Sequence, residues 1–182
     1  MARITTPREG SRADPWPPAG PIQAPLRLHD TVVAPQWADY NGHMSESAYL
    51  LVFGDSADAF FRYVGVDENY RASGRSLFTA ETHLRHLREA RVGDRLALSL
   101  RVLGVDAKRL HITHEMHGDG GRGQLLATAE QLLLHVGTTA GQGTRVTPFP
   151  AEIAHRLAQI AGAHAALPVP GYAGRSISLP GG

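Results

Sequence analysis

From Glu46 the apolar residues Tyr49, Val52, Phe53, Ala57, Phe60 and Val64 recur three and four positions apart, one continuous stripe down a helix of about Glu46 to Val64. Ser45 or Ser47 can cap its start and Gly65 can stop it, while Leu50 and Phe61 widen the stripe enough to predict cover on more than one side. Elsewhere the period is closer to two. Leu26 to Pro35 reads as a strand, with Leu26, Leu28, Asp30 and Val32 on one side. After a loop over Asp67 to Gly74, four more strand-like runs follow: Leu77–Arg88, Arg95–Val105, Lys108–His117 and Leu125–Val136. In the first, Phe78, Ala80, Thr82 and Leu84 oppose Thr79, Glu81, His83 and Arg85. The last is nearly all apolar, as in a strand buried on both faces or at a subunit contact. Short turn-rich connections predict that consecutive strands pair antiparallel. A final helix is expected over Ala151 to Ala161. The order of elements gives an α+β protein, an antiparallel sheet curling around one long helix.

The flanks read differently. Residues 1–24 hold Pro7, Pro15, Pro17, Pro18 and Pro21 with few large aliphatics, so they are expected to be a flexible tail, with Trp16 as the residue able to dock. Residues 25–163 form the domain, and 164–182 an irregular C-terminal tail. The 182 residues carry 18 basic and 17 acidic side chains, a balance that argues against a nucleic-acid or polybasic membrane partner. With no cysteine, disulfides, thiolate metal sites and a cysteine nucleophile are excluded. No apolar run approaches the roughly 20 residues of a membrane span, and no signal-peptide core is present, so a cytoplasmic location is expected.

Three patterns mimic known sites. Gly118-Asp119-Gly120-Gly121-Arg122-Gly123 fits G-x-G-x-x-G, but a strand rather than a helix follows, so it reads as a hairpin loop. Gly54-Asp55-Ser56 falls in mid-helix, where no strained turn presents the hydroxyl, and Gly54 is expected to permit close helix–sheet packing. His111, His114 and His117 cannot share a metal: His114 faces away from the other two, which lie about 20 Å apart at ~3.3 Å per residue. No metal site is expected.

The polar residues concentrate between the first strand and the long helix, in Trp37-Ala38-Asp39-Tyr40-Asn41-Gly42-His43-Met44. Two readings stay open from chemistry alone. Asp39, Asn41 and His43 can form a hydrolytic site without a cofactor: a carboxylate to activate water or attack an acyl group, an amide and an imidazole to position it, and N–H groups near Gly42, His43 and Met44 to hold an oxyanion. Equally, Asp and Asn make side-chain-to-backbone turns ahead of helices, with Gly supplying a left-handed residue.

This block, followed by one long helix and four strands, resembles the hot-dog-fold acyl-CoA thioesterases of the 4-hydroxybenzoyl-CoA thioesterase type, with Asp39, Gly42, His43 and Tyr49 on the family's positions. With Glu81-Thr82-His83, Leu87-Arg88-Glu89, Lys108-Arg109-Leu110-His111 and His114-Glu115-Met116 added, the chain is more narrowly similar to the betainyl-CoA thioesterases of carnitine breakdown, which occur alone or fused behind an L-carnitine dehydrogenase. The resemblance spans about residues 26–160. It implies a homodimer or higher homo-oligomer joined sheet edge to sheet edge, with pantetheine threading between protomers. Coenzyme A then enters as part of the substrate, no separate cofactor is needed, and L-carnitine dehydrogenase becomes a functional partner. Asp39 is the leading catalytic carboxylate, with Asn41 and His43 as partners; Glu81, beside His83, is the alternative. Trp37, Tyr40, Tyr49, Phe53 and Phe78 could face a trimethylammonium group. Arg85, Arg88, Lys108 and Arg109 could meet the phosphates.

Overall fold

A computed structural model describes residues 16–18, 20–139, 141 and 143–177. The expectation of a flexible N-terminal tail therefore falls mostly outside the described residues. Trp16 is described, and it is docked: its ring meets Tyr63 edge-on at 5.4 Å, with the Arg156 guanidinium 5.7 Å over its face.

Strand β1 (Leu26–Val32) leads through the polar loop to helix α1 (Glu46–Tyr63). A short α2 (Glu68–Ala72) follows, then β2 (Arg75–His86), β3 (Arg95–Val105), β4 (Arg109–His117), β5 (Leu125–Thr139), β6 (Gly143–Val146) and α3 (Ala151–His164). The stripe read from the sequence is what α1 buries. Phe53 and Phe60 are fully enclosed, Val52 and Phe53 packing with Leu96, Leu98 and Met116, and Phe60 with Leu100, Leu110 and Ile112. The sheet thus wraps the helix, and Ile153, Leu157 and Ile160 of α3 close one end of the core. The glycine cluster is a hairpin loop, as expected: Gly118 and Gly123 approach so closely that a Cβ on Gly123 would lie 2.8 Å from the Gly118 carbonyl. Gly54 departs from expectation. It is exposed, and an added Cβ would meet nothing within 4 Å, so helix–sheet packing does not account for it.

Two elements were not expected. Asp67 accepts the Tyr70 N–H at 2.9 Å and so starts α2 inside the predicted loop. β6 folds back on the end of β5.

All strand pairs are antiparallel, in the order β1-β3-β4-β5-β2, which corrects the expected hairpin between β2 and β3. β2 pairs with β5 instead, and residues 87–94 cross the end of the sheet. The backbone of that crossing is committed elsewhere: Leu87 and Arg88 donate to Leu126 O, and Val33 exchanges hydrogen bonds with Gly93 and Asp94. β1 and β2 are left as opposite edges of the main sheet.

β2 also changes phase. Its register with β5 shifts between Thr79 and Glu81, a one-residue bulge at Ala80. Leu77 and Thr79 face the helix before the bulge, and Thr82, Leu84 and His86 face it afterwards. Phe78, Glu81, His83 and Arg85 therefore share the outer face, and the expected grouping of Phe78 with Thr82 does not hold.

Over the described residues after α3, 165–177, the chain has no regular element, yet it is tied down. The Arg101 guanidinium donates to the carbonyls of His164, Leu167 and Pro168. Tyr172 donates to Glu115 at 3.2 Å, and the Gly174 N–H reaches both oxygens of Glu130 at 2.9 and 3.0 Å. This strap lies on the outer face of the sheet, where the outward-pointing Ser99, Thr113 and Thr128 are buried.

Candidate active site

The sequence Pro35-Gln36-Trp37 makes one short 3-10 turn, and Trp37 packs against the cluster around the start of α1. The chain then doubles back on itself. Asp39 N–H donates to His43 O at 2.7 Å and Gly42 N–H to Asp39 O at 3.1 Å, while the Asp39 carboxylate accepts through Oδ1 from Asn41 N–H (2.8 Å) and His43 N–H (3.0 Å). Gly42 sits at φ +75°, where a side chain would be strained. The turn-forming reading of Asp39 therefore holds. Oδ1 builds the turn, and the half-buried residue lines a recess of about 380 Å³ at the start of α1.

Asn41 and His43 line the same recess, joined by Glu46 and Tyr49 from α1 and by Arg88 and Glu89 from the crossing after β2. His43 Nε2 lies 3.2 Å from Glu89 Oε2. Tyr49, 4 % exposed, is a clamp rather than an open wall: its hydroxyl donates to Arg88 O at 3.2 Å and accepts from Ala90 N–H at 3.0 Å, and His86 stands edge-on to its ring at 4.8 Å. Burial pushes its phenol up from the ordinary value.

The oxyanion donors expected at Gly42, His43 and Met44 are already committed. Gly42 and His43 donate to Asp39, and Met44 donates to Ala90 O at 2.8 Å. The free donors at this end belong to the first turn of α1, at Glu46 and Ser47, which have no carbonyl a turn earlier in the helix and no Ser45 side-chain cap.

The remaining predicted residues are dispersed within one subunit. Glu81 lies about 16 Å up β2 from His86, at ~3.3 Å per residue, and faces outward. With His83 it lines a separate recess of about 640 Å³ whose far wall is the strap at Gly174–Ile177. Phe53 is enclosed in the core beside His114, with ring centroids 5.7 Å apart. Phe78 is 53 % exposed on edge strand β2, and Tyr40 is 97 % exposed at the tip of the loop. Lys108 and Arg109 are exposed where β4 begins, and Asp106 engages both. It accepts the N–H groups of Lys108 and Arg109 and pairs with the Arg109 guanidinium at 2.6 Å, contacts that hold its carboxyl down at about 2. Glu89, like Glu46, is a residue at the site for which the sequence offered no chemical role. Its block was visible, but nothing in its spacing says that residues 43 and 89 meet.

A helix wrapped by a curled antiparallel sheet, with an Asp-x-x-Gly-His turn at the helix start, is the hot-dog architecture. Residues 33–157 match the family described as the thioesterase-like superfamily, and the chain belongs to it. Among its relatives is a betainyl-CoA thioesterase of Pseudomonas aeruginosa, 47 % identical over 156 residues that cover 85 % of this chain and 96 % of that one. An L-carnitine dehydrogenase/betainyl-CoA thioesterase of Rhizobium meliloti is also 47 % identical, over 84 % of this chain, but the match spans only 30 % of that longer protein. A crystal structure assigned as a thioesterase from Pseudomonas putida KT2440 superposes with a TM-score of 0.74 at 34 % identity, covering 87 % of this chain and 99 % of that one. A Staphylococcus aureus protein solved in complex with CoA shares the fold, with a TM-score of 0.75 at 22 % identity over 88 % of this chain and 100 % of that one.

Proposed function

We propose that this protein is an acyl-CoA thioesterase that hydrolyses betainyl-CoA to betaine and CoA. The observation that carries the substrate is the 47 % identity to a betainyl-CoA thioesterase along 96 % of that relative's length. Charge supports it: Asp39, Glu46 and Glu89 surround the recess against a single guanidinium, Arg88, and carboxylates attract a trimethylammonium group. Of the aromatic residues considered for that group, Tyr49 and Phe53 are enclosed, which leaves Trp37, Tyr40 and Phe78 nearer the surface.

In this reading the Asp39 carboxylate, held by Asn41 and His43 N–H groups, draws a proton from water as the water oxygen bonds to the thioester carbonyl carbon. The C–S bond breaks and the CoA thiol leaves with a proton. N–H groups of the first α1 turn face the developing oxyanion. No cofactor is needed, since CoA is part of the substrate. Two subunits join through their free β2 edges, supported by exposed Phe78 on β2 and by Leu50 and Leu51, 46 % and 39 % exposed, on α1. Pairing of those edges brings Glu81 and His83 of each subunit toward the other's recess. The reaction belongs in the cytoplasm beside L-carnitine dehydrogenase. Among the described residues no helix is long and apolar enough to cross a membrane.

Thiol release from betainyl-, acetyl-, 4-hydroxybenzoyl- and longer acyl-CoAs tests the reading, with betainyl-CoA expected to give the highest kcat/KM. Folded protein inactive on every member would overturn it. Asp39→Asn keeps an oxygen to accept the turn hydrogen bonds but loses the charge, and should lower kcat about 100-fold or more. A near-normal rate moves the role to Glu81, where Glu81→Gln becomes the deciding variant. Light scattering should show at least a dimer.

A further inference from the structure

We infer that Glu89 is a positioning residue for the thioester hydrolysis, holding the His43 imidazole through Nε2 so that Nδ1 is the nitrogen left to take part in the chemistry. The inference rests on the site proposed above. His43 Nε2 and Glu89 Oε2 are 3.2 Å apart, and the two residues come from distant parts of the chain. An exposed ion pair is ordinarily weak because both side chains must be held in place. Here the backbone on each side of the contact is fixed already.

On the Glu89 side, Leu87 and Arg88 donate to Leu126 O at 2.9 and 3.0 Å, and Ala90 O accepts from Met44 N–H at 2.8 Å. The Tyr49 hydroxyl bridges Arg88 O and Ala90 N–H, straddling Glu89. On the His43 side, the residue's own N–H and C=O are both bonded to Asp39. The side-chain contact therefore costs only the ordering of two short side chains on rigid supports, and three-quarters of the His43 side chain is already covered. When the neutral ring donates its Nε2–H to a carboxylate, the tautomer is set and Nδ1 becomes the acceptor. That nitrogen can take the proton that Asp39 draws from the attacking water and pass it to the departing thiolate.

Steady-state kinetics on betainyl-CoA, or on whichever panel member turns over best, test the assignment. Glu89→Ala should lower kcat about ten- to a hundred-fold, as expected for loss of an orienting charge-assisted hydrogen bond, with KM within about twofold and an unchanged unfolding midpoint. Glu89→Gln, whose amide oxygen can still accept from Nε2–H, should rescue most of that loss. In a His43→Gln background, Glu89→Ala should add almost nothing, because a residue acting through another is silent once that other is gone. Equal losses in the Gln and Ala variants would make Glu89 a base in its own right. A rise in KM alone would make it a substrate contact, and additive effects in the double variant would separate it from His43. Each of these overturns the proposal while the thioesterase reading stands. Wild-type protein inactive on the whole panel ends both.

Discussion

Asp55 lies in the middle of α1, 5 % exposed, with Asp58 one turn along and Arg62 beyond. Burial, then the neighbouring Asp58 charge, push its carboxyl up from 3.8 to about 6, with Arg62 pulling the other way. A folded state that holds its proton more tightly than the unfolded chain gains stability in acid. Unfolding free energy therefore falls as pH rises from about 4 to about 6 and is level above that. At 1.36 kcal/mol for each tenfold in proton affinity, the ionised carboxylate costs up to about 3 kcal/mol at neutral pH, and solvent at the rim of the helix reduces this to about 1–3. Asp55→Asn keeps the shape and removes the charge, so it should stabilise the protein by that amount at pH 8. For a domain of this size that is a rise of roughly 3–10 °C in midpoint. Thermal or urea unfolding of both proteins at pH 8, 6 and 4.5, at one protein concentration, measures it. The gain should shrink steadily toward pH 4. Buried His114, held down at about 4 by desolvation, destabilises the fold in the same acid range, but it is common to both proteins and cancels in the difference. No gain at pH 8, or a gain that persists undiminished at pH 4.5, would refute the reasoning.

Tyr49→Phe removes the hydroxyl but not the ring, leaving the enclosed Ala90 N–H without its partner. It should cost about 1–3 kcal/mol in urea unfolding and lower kcat as well, since the segment bearing Glu89 loosens. Arg101→Ala frees the three carbonyls that anchor the strap; trypsin should then cut at Arg175 markedly faster, as followed by mass spectrometry, with most of the core still protected.

The long helix and the first half of β3 were legible because their residues keep one environment over a long run. The α1 stripe from Tyr49 to Phe60 and the clean alternation of Leu96, Leu98 and Leu100 record burial directly. β2 was harder to read, because a bulge conserves composition while moving every later side chain to the opposite face. The pairing of β2 with β5 was hidden for a related reason: turn residues at Gly93 and Asp94 signal a reversal but not which strand lies beside it. At the site, the Asp39 turn was readable because its partners are two and four residues away. The His43–Glu89 contact and the Tyr49 clamp join residues about forty apart, and only the folded sheet decides that they meet. The same distance hid the commitment of the Met44 N–H to Ala90 O, whereas those of Gly42 and His43 stay within the turn.

The bulge at Ala80 also bears on how this chain can vary over time. Substitution there exchanges one outlying side chain, and loss of Ala80 itself would remove the bulge and let Thr79 run on to Glu81 in plain alternation, whereas loss of a residue further along β2 would rephase the strand. If one residue were lost just after the bulge, His83 would turn toward the helix, and Thr82 and Leu84 would turn out to solvent. Drift in length beyond the bulge, rather than in identity, is therefore what this strand cannot absorb. Relatives that keep the outer recess should align through residues 81–86 without an insertion or a gap, even where few of those residues match.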